Sequence, residues 1–299
     1  MFSYQKTIKN KVSCFGVGLH SGEDVTLTLN PAPTDTGIVF KRNDVTDKDN
    51  MVPAFYLNVE GTMLGTTITN DDGISVATIE HLMAALWGCG VDNCIIEVDG
   101  PEVPIMDGSS EPFVFLIECA GVEAQDKTRK VVEVLKEVTV SEGGDNGGHI
   151  TIAPAEGFTV DLEIDFGDNV IAKQAGTFDT RQVSFKSDLC RARTFGFEHE
   201  VDYLRSQGLA QGGSLDNAIV VGKEGILNKE DLRYRDEFVR HKILDCIGDI
   251  YLAGAYFKGS LKGFKSGHAL NNKLLRKFFE QSDAWRMMQY TPQAEAAAV

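Results

Sequence analysis

HKILDCIGD, residues 241–249, decides how the rest of the chain is read. His241, Asp245 and Asp249 recur every four residues, which on an α-helix sets them on one face, a turn apart. Their neighbours Ile243, Leu244, Cys246, Ile247, Ile250, Tyr251 and Leu252 are apolar enough to bury most of that helix. An imidazole and two carboxylates on a buried stripe are costly unless paired or bound to a cation. An ion pair on a solvated face is the commoner meaning of His-x-x-x-Asp, but the apolar flanks argue against it here. A divalent ion held by His241 and Asp245 offsets the burial cost.

A second helix is predicted at IEHLMAALWGCG, residues 79–90. Ile79, Leu82, Met83, Leu86 and Trp87 form its apolar stripe, Thr78 is its predicted N-cap, and Gly88 and Gly90 end it. Glu80 and His81 fall in the first turn. The positive end of the helix dipole disfavours a charged histidine there, so His81 reads as a neutral ligand. His268 sits in a glycine loop, KSGHALNN, that opens a third helix. If the two parts of the chain pack face to face, these residues meet at one cleft. His81, His241 and Asp245 then give zinc three protein ligands and leave a position for water. Glu80 is placed to take a proton, His268 to protonate a leaving group, and Asp249 to keep His268 charged.

The composition is that of a soluble globular protein, with 42% hydrophobic and 24% charged residues in 299, long enough for one large or two ordinary domains. A formal charge of −15 argues against broad nucleic-acid binding, though not against a local basic pocket. Six cysteines without a Cys-x-x-Cys read as buried, reduced thiols. MFSYQKTIKN has no signal-peptide character and no long apolar run follows, so a cytoplasmic protein is expected.

Along the chain, Val25, Leu27 and Leu29 alternate with polar residues as in a half-buried strand. Residues 91–98 read as a strand, a helix is expected from about Pro112, and the polar stretch 122–130 reads as a linker. Strands follow, with a glycine turn at 141–149. The second half then repeats the order of the first: strands, helix, strand, loop, helix. This divides the chain into residues 1–126, with a glycine- and threonine-rich insert near 50–75, residues 127–285, and a loose tail at 286–299.

TIEHLMAAL, PEVPIMDGS, RARTFGF, GGSLDNAIVV, DEFVRHKILDCIGD and FKSGHALNN, in this order, resemble the motif set of the zinc-dependent UDP-3-O-acyl-N-acetylglucosamine deacetylases. The resemblance runs from about residue 4 to about residue 285. It implies an α+β fold of two similar domains, each a sheet on two helices, stacked sheet-helix-helix-sheet with small inserted units. It implies hydrolysis of a 2-acetamido group with release of acetate, the committed step of lipid A biosynthesis in Gram-negative bacteria. His81, His241 and Asp245 match the zinc ligands, for which Fe2+ is also chemically suitable. Glu80 matches the general base, His268 the catalytic histidine, Asp249 its partner, and Thr194 the donor to a tetrahedral oxyanion. Lys242, Phe195, Lys265 and Phe166 match groups that contact the substrate, and His20 a site histidine. The stretch 195–221 resembles the unit that encloses the acyl chain, with Val201, Ala210, Ser214 and Val220 in its lining.

The implied partner is an acylated UDP-amino sugar, with transient inner-membrane contact. The tail AEAAAV reads as a signal for a regulatory protease. Two stretches depart from the family pattern: Glu198 and His199 make the tunnel mouth more polar, and DFGDNV alters the segment after Asp165. The rival readings are another zinc amidase or peptidase, and a metal-free binding homologue.

Overall fold

The computed structural model describes residues 4–144, 147–167 and 169–288. The first half opens with β1 (Tyr4–Ile8), β2 (Val12–Val17), β3 (Asp24–Pro31), β4 (Ile38–Arg42) and β5 (Met51–Pro53). The insert follows as β6 (Val59–Gly61), β7 (Thr67–Thr69) and β8 (Ser75–Val76), a three-stranded sheet of its own. Then come α1 (Glu80–Cys89), β9 (Cys94–Val98) and α2 (Glu111–Ala120). The main sheet runs β2-β3-β9-β4-β5, with β9 antiparallel to β3 and parallel to β4.

After β10 (Val122–Thr128), the second half starts with β11 (Val131–Val134), β12 (Val138–Ser141), β13 (His149–Ala153), β14 (Phe158–Asp165) and β15 (Lys173–Asp179). A short helix α3 (Phe185–Asp188) precedes the second insert, made of β16 (Phe195–Phe197), α4 (Glu198–Ser206) and β17 (Ile219–Val221). The half ends with α5 (Glu237–Tyr251), β18 (Tyr256–Phe264), α6 (His268–Glu280) and β19 (Trp285–Met288). Here β18 is antiparallel to β13 and parallel to β14, while β12 pairs with β13 and β15 with β14. The path β12-β13-β18-β14-β15 therefore reproduces β2-β3-β9-β4-β5 strand for strand. In each half a helix precedes and another follows the central strand.

Strand alternation explains which faces are inside. Val25, Leu27 and Leu29 are fully buried, as are Val160 and Ile150 on the opposite sheet. The helices lie between: α1 packs on α5 and α2, and α5 packs on α6 and on β14 and β15. This is the expected α+β sandwich. Helix α1 is built of good helix formers and closed by Gly90, whose φ of 75° lets its N–H reach Leu86 O and Trp87 O. The packing of α1 on α5 depends on Gly248, where a Cβ atom would stand 2.1 Å from the Glu80 carbonyl oxygen. Among the described residues no helix is long and apolar enough to cross a membrane.

Three local expectations are corrected. The stretch 122–130 is not a linker: β10 pairs antiparallel with β1, and the boundary placed after residue 126 falls inside it. Its residues are mostly exposed, so no apolar alternation marked it. Thr78 does not cap α1. It takes φ +55°, and its hydroxyl donates to Glu102 Oε1 at 2.8 Å. The tail read from residue 286 begins as β19, paired antiparallel with β11. The remainder of that tail, with AEAAAV, lies outside the described residues.

Candidate active site

The pairing of α1 with α5 brings His81 beside His241 and Asp245. The two imidazole rings stand edge to face with centroids 4.9 Å apart. One ligand atom from each of the three residues lies within 4.8 Å of the others, and all three side chains are buried. His241 Nδ1–H donates to the Ala192 carbonyl at 3.0 Å, which turns the Nε2 lone pair inward. Burial, with His81 and Lys242 adding to it against Asp245, pushes the His241 pKa down to about 3, so the ring is neutral at pH 7. Burial would raise the Asp245 pKa, but the Lys242 ammonium at Oδ2 counters it and the carboxyl stays well below its usual value.

The group fits a divalent cation on one observation. Asp245 Oδ1 is buried and has no hydrogen-bond donor among the described residues. It lies 3.3 Å from His241 Nε2 and 3.5 Å from His81 Nε2. The His241 lone pair and a bare carboxylate oxygen thus face each other in a buried space, an arrangement that only a cation or an added proton makes favourable.

A second cluster adjoins the first. Glu80 is buried, and its pKa is raised by that burial against the pull of His268 and His81. Its Oε1 is 3.9 Å from His268 Nε2. His268 Nδ1 is 2.8 Å from Asp249 Oδ2. Burial would lower the His268 pKa, but Asp249 and Glu80 overcome it and push it up to about 9. The site therefore pairs a carboxyl of raised basicity with a charged imidazolium, the complement that general acid-base chemistry needs.

The family model for UDP-3-O-acyl N-acetylglycosamine deacetylase matches residues 5–280. The chain belongs to this family. It is accordingly a zinc-dependent deacetylase of lipid A biosynthesis that acts on an acylated UDP-amino sugar.

The deacetylase places its other predicted residues as follows. Thr194 is two residues beyond Ala192, with its backbone pinned between Gly108 O and Ile219 N at 2.8 Å each. Phe195 packs on Phe238, Phe166 and the His241 ring, at centroid distances of 5.0, 5.5 and 6.3 Å. Lys242 does not point into open space: its ammonium sits 2.8 Å from Asp245 Oδ2. Lys265 pairs with Asp165 at 3.1 Å, beside the partly exposed Phe166. Val201, Ala210 and Val220 are partly buried and Ser214 is exposed, all within the second insert. His20 joins that insert to the first half. Its Nδ1 accepts from Ala210 N at 3.4 Å and its carbonyl from Gln211 N at 3.2 Å.

Sequence reading missed the residues that hold these in place. The buried Glu102 accepts from the backbone of His20 and Ser21 and from Thr78. Asn271 Nδ2 donates to Asp249 Oδ2 at 2.8 Å. Glu237, fully buried one turn before His241, binds Arg193 N and Nε at 3.0 and 2.9 Å and Arg233 N at 2.6 Å. Since Arg193 lies between Ala192 and Thr194, this pair fixes both the carbonyl that orients His241 and the threonine. Glu237→Gln is expected to cost about 3 kcal/mol of stability, the scale of a broken buried ion pair. It should also weaken zinc binding about 10-fold or more through the lost orientation of His241. Denaturant unfolding and a zinc titration check the two effects separately.

Proposed function

We propose that the deacetylase reaction runs on the residues named from the sequence, with His81, His241 and Asp245 holding the ion. The orphaned Asp245 oxygen facing two imidazoles is the observation that carries this reading. When bound, zinc supplies Lewis acidity, polarising the amide carbonyl and lowering the pKa of water. Glu80 takes the proton from the attacking water. Thr194 donates its hydroxyl hydrogen to the amide oxygen as negative charge develops there. His268 gives the Nε2 proton to the departing amine nitrogen, and acetate leaves. Asp249 holds His268 in its charged form. Lys242 neutralises Asp245 and reaches the substrate from beside the ion.

The sugar is placed against Phe195, the diphosphate near Lys265 and the nucleotide near Phe166. The acyl chain runs along Val201, Ala210, Ser214 and Val220, with His20 at the base of that insert. The reaction is placed in the cytoplasm, with transient contact at the inner membrane because the substrate carries an acyl chain. A regulatory protease acting on AEAAAV is part of the proposal on sequence alone. An unchanged cellular half-life after deletion of residues 290–299 removes it.

The acid-base assignment is tested by the pH profile of kcat/KM. His268 is charged below its pKa of about 9, and a bound cation lowers that value. Activity should therefore fall as pH rises toward about 9. The acidic limb belongs to Glu80, whose pKa burial raises and a bound cation lowers. His268→Ala should lose about 10²-fold or more in kcat and its basic limb with it. Full turnover across the profile in that variant overturns the acid assignment.

A further inference from the structure

The two groups proposed as base and acid come from different halves of the chain, yet one residue of the first insert touches the support of both. Thr66 is 2% exposed and directly precedes β7. Its backbone N–H donates to Glu80 Oε2 at 2.9 Å. Its hydroxyl donates to Asp249 Oδ1 at 2.6 Å, and Oγ1 lies 3.2 Å from His268 Nδ1. We infer that Thr66 is a positioning residue for the deacetylation, aligning Glu80 through its amide and, through its hydroxyl, fixing Nδ1 as the nitrogen of His268 that keeps its hydrogen. This rests on the roles proposed above for Glu80 and His268.

The hydrogen-bond polarity carries the inference. The Thr66 hydroxyl donates to Asp249 Oδ1, so its single hydrogen is committed there. Oγ1 can then only accept from His268 Nδ1. That nitrogen already faces Asp249 Oδ2 at 2.8 Å. Two acceptors around Nδ1 require it to carry hydrogen, which makes Nε2, the nitrogen 3.9 Å from Glu80 Oε1, the one that gives or receives the transferable proton. At the other end, the Thr66 amide occupies Glu80 Oε2, and no hydrogen bond among the described residues occupies Oε1, the oxygen left to take the proton of water. Gly65 allows the approach: a Cβ there would be 3.0 Å from Glu80 Oε1. The pairing of β7 with β6 and β8 keeps the residue from swinging away.

Thr66→Val keeps the shape and the amide and removes only the hydroxyl. We expect kcat to fall about 10- to 100-fold, the scale of a hydrogen bond to a charged group. KM should stay within about threefold and zinc content should be unchanged, since the hydrogen bonds of Thr66 go to Glu80, Asp249, His268 and Ile79 and to none of the three residues proposed to hold the ion. Thr66→Ser should restore most of the loss. In a His268→Ala background the valine change should add little, because a residue acting through His268 has nothing left to act on. If the valine protein fails to accumulate, Thr66→Ala makes the same comparison with the amide intact. A kcat within twofold of the parent in Thr66→Val, with His268→Ala impaired, overturns the Thr66 inference and leaves the acid assignment standing. Full additivity of the two changes overturns it as well. An unimpaired His268→Ala enzyme overturns the acid assignment itself.

Discussion

Asp245→Ala protein is expected to fold but to purify without its ion, with activity reduced by about 10³-fold or more as the Lewis acid is lost. The carboxylate is the only anion among the three residues proposed to hold the ion, and its Oδ1 is the oxygen both imidazoles face. Removing it has a second cost. Lys242 loses its partner at Asp245 Oδ2, which leaves its ammonium unpaired at a largely buried position. Asp245→Asn separates the two effects: it retains an oxygen and the side-chain volume while discarding the charge. Its zinc affinity should fall between that of the parent and the alanine variant. Elemental analysis and acetate release, measured on the same preparations, check the result. Zinc at one equivalent in Asp245→Ala would remove the carboxylate from the ligand set.

Gly248→Ala is expected to be nearly as damaging, although it adds only a single methyl group, against helix backbone. The added carbon would meet the Glu80 carbonyl oxygen at 2.1 Å, and that oxygen is helix backbone. Neither helix has a flexible side chain there to yield, so α1 and α5 must move apart. Overpacking of this kind costs about 3 kcal/mol. The same movement separates His81 from Asp245 and Glu80 from His268. A shift of about 1 Å in such a constellation costs on the order of 10²-fold in rate. Weaker zinc retention, a lower unfolding midpoint and a lower kcat should therefore appear together. A variant that is destabilised yet fully active would show that the helices yield away from the site.

The parts of the molecule legible in sequence were those with a period. The four-residue spacing of His241, Asp245 and Asp249 amid apolar residues gave the helix and its polar stripe, and the α1 stripe placed Glu80 and His81 in a first turn. The order of strands and helices gave the duplicated architecture. Long-range pairing of polar segments was not legible. β10 is mostly exposed and carries no alternation, and β19 is a four-residue edge strand recognisable only by its partner β11. The supporting residues were hidden for a different reason. Thr66 acts partly through a backbone amide, which every residue but proline has, and Ala192 acts through its carbonyl alone. Glu237 and Glu102 look like ordinary surface acids until the fold buries them.

The three residues proposed to hold the ion are drawn from α1 and α5, so an ion between them would join points separated by more than half of the polypeptide. It behaves as a removable cross-link that closes a very long loop, and chain-entropy arguments assign large stabilisation to such closures. The metal requirement of this protein is then also a requirement of its architecture. Depleting the ion should loosen the two sheets from each other before either one melts, and zinc scarcity would limit how long the protein survives as well as how fast it works.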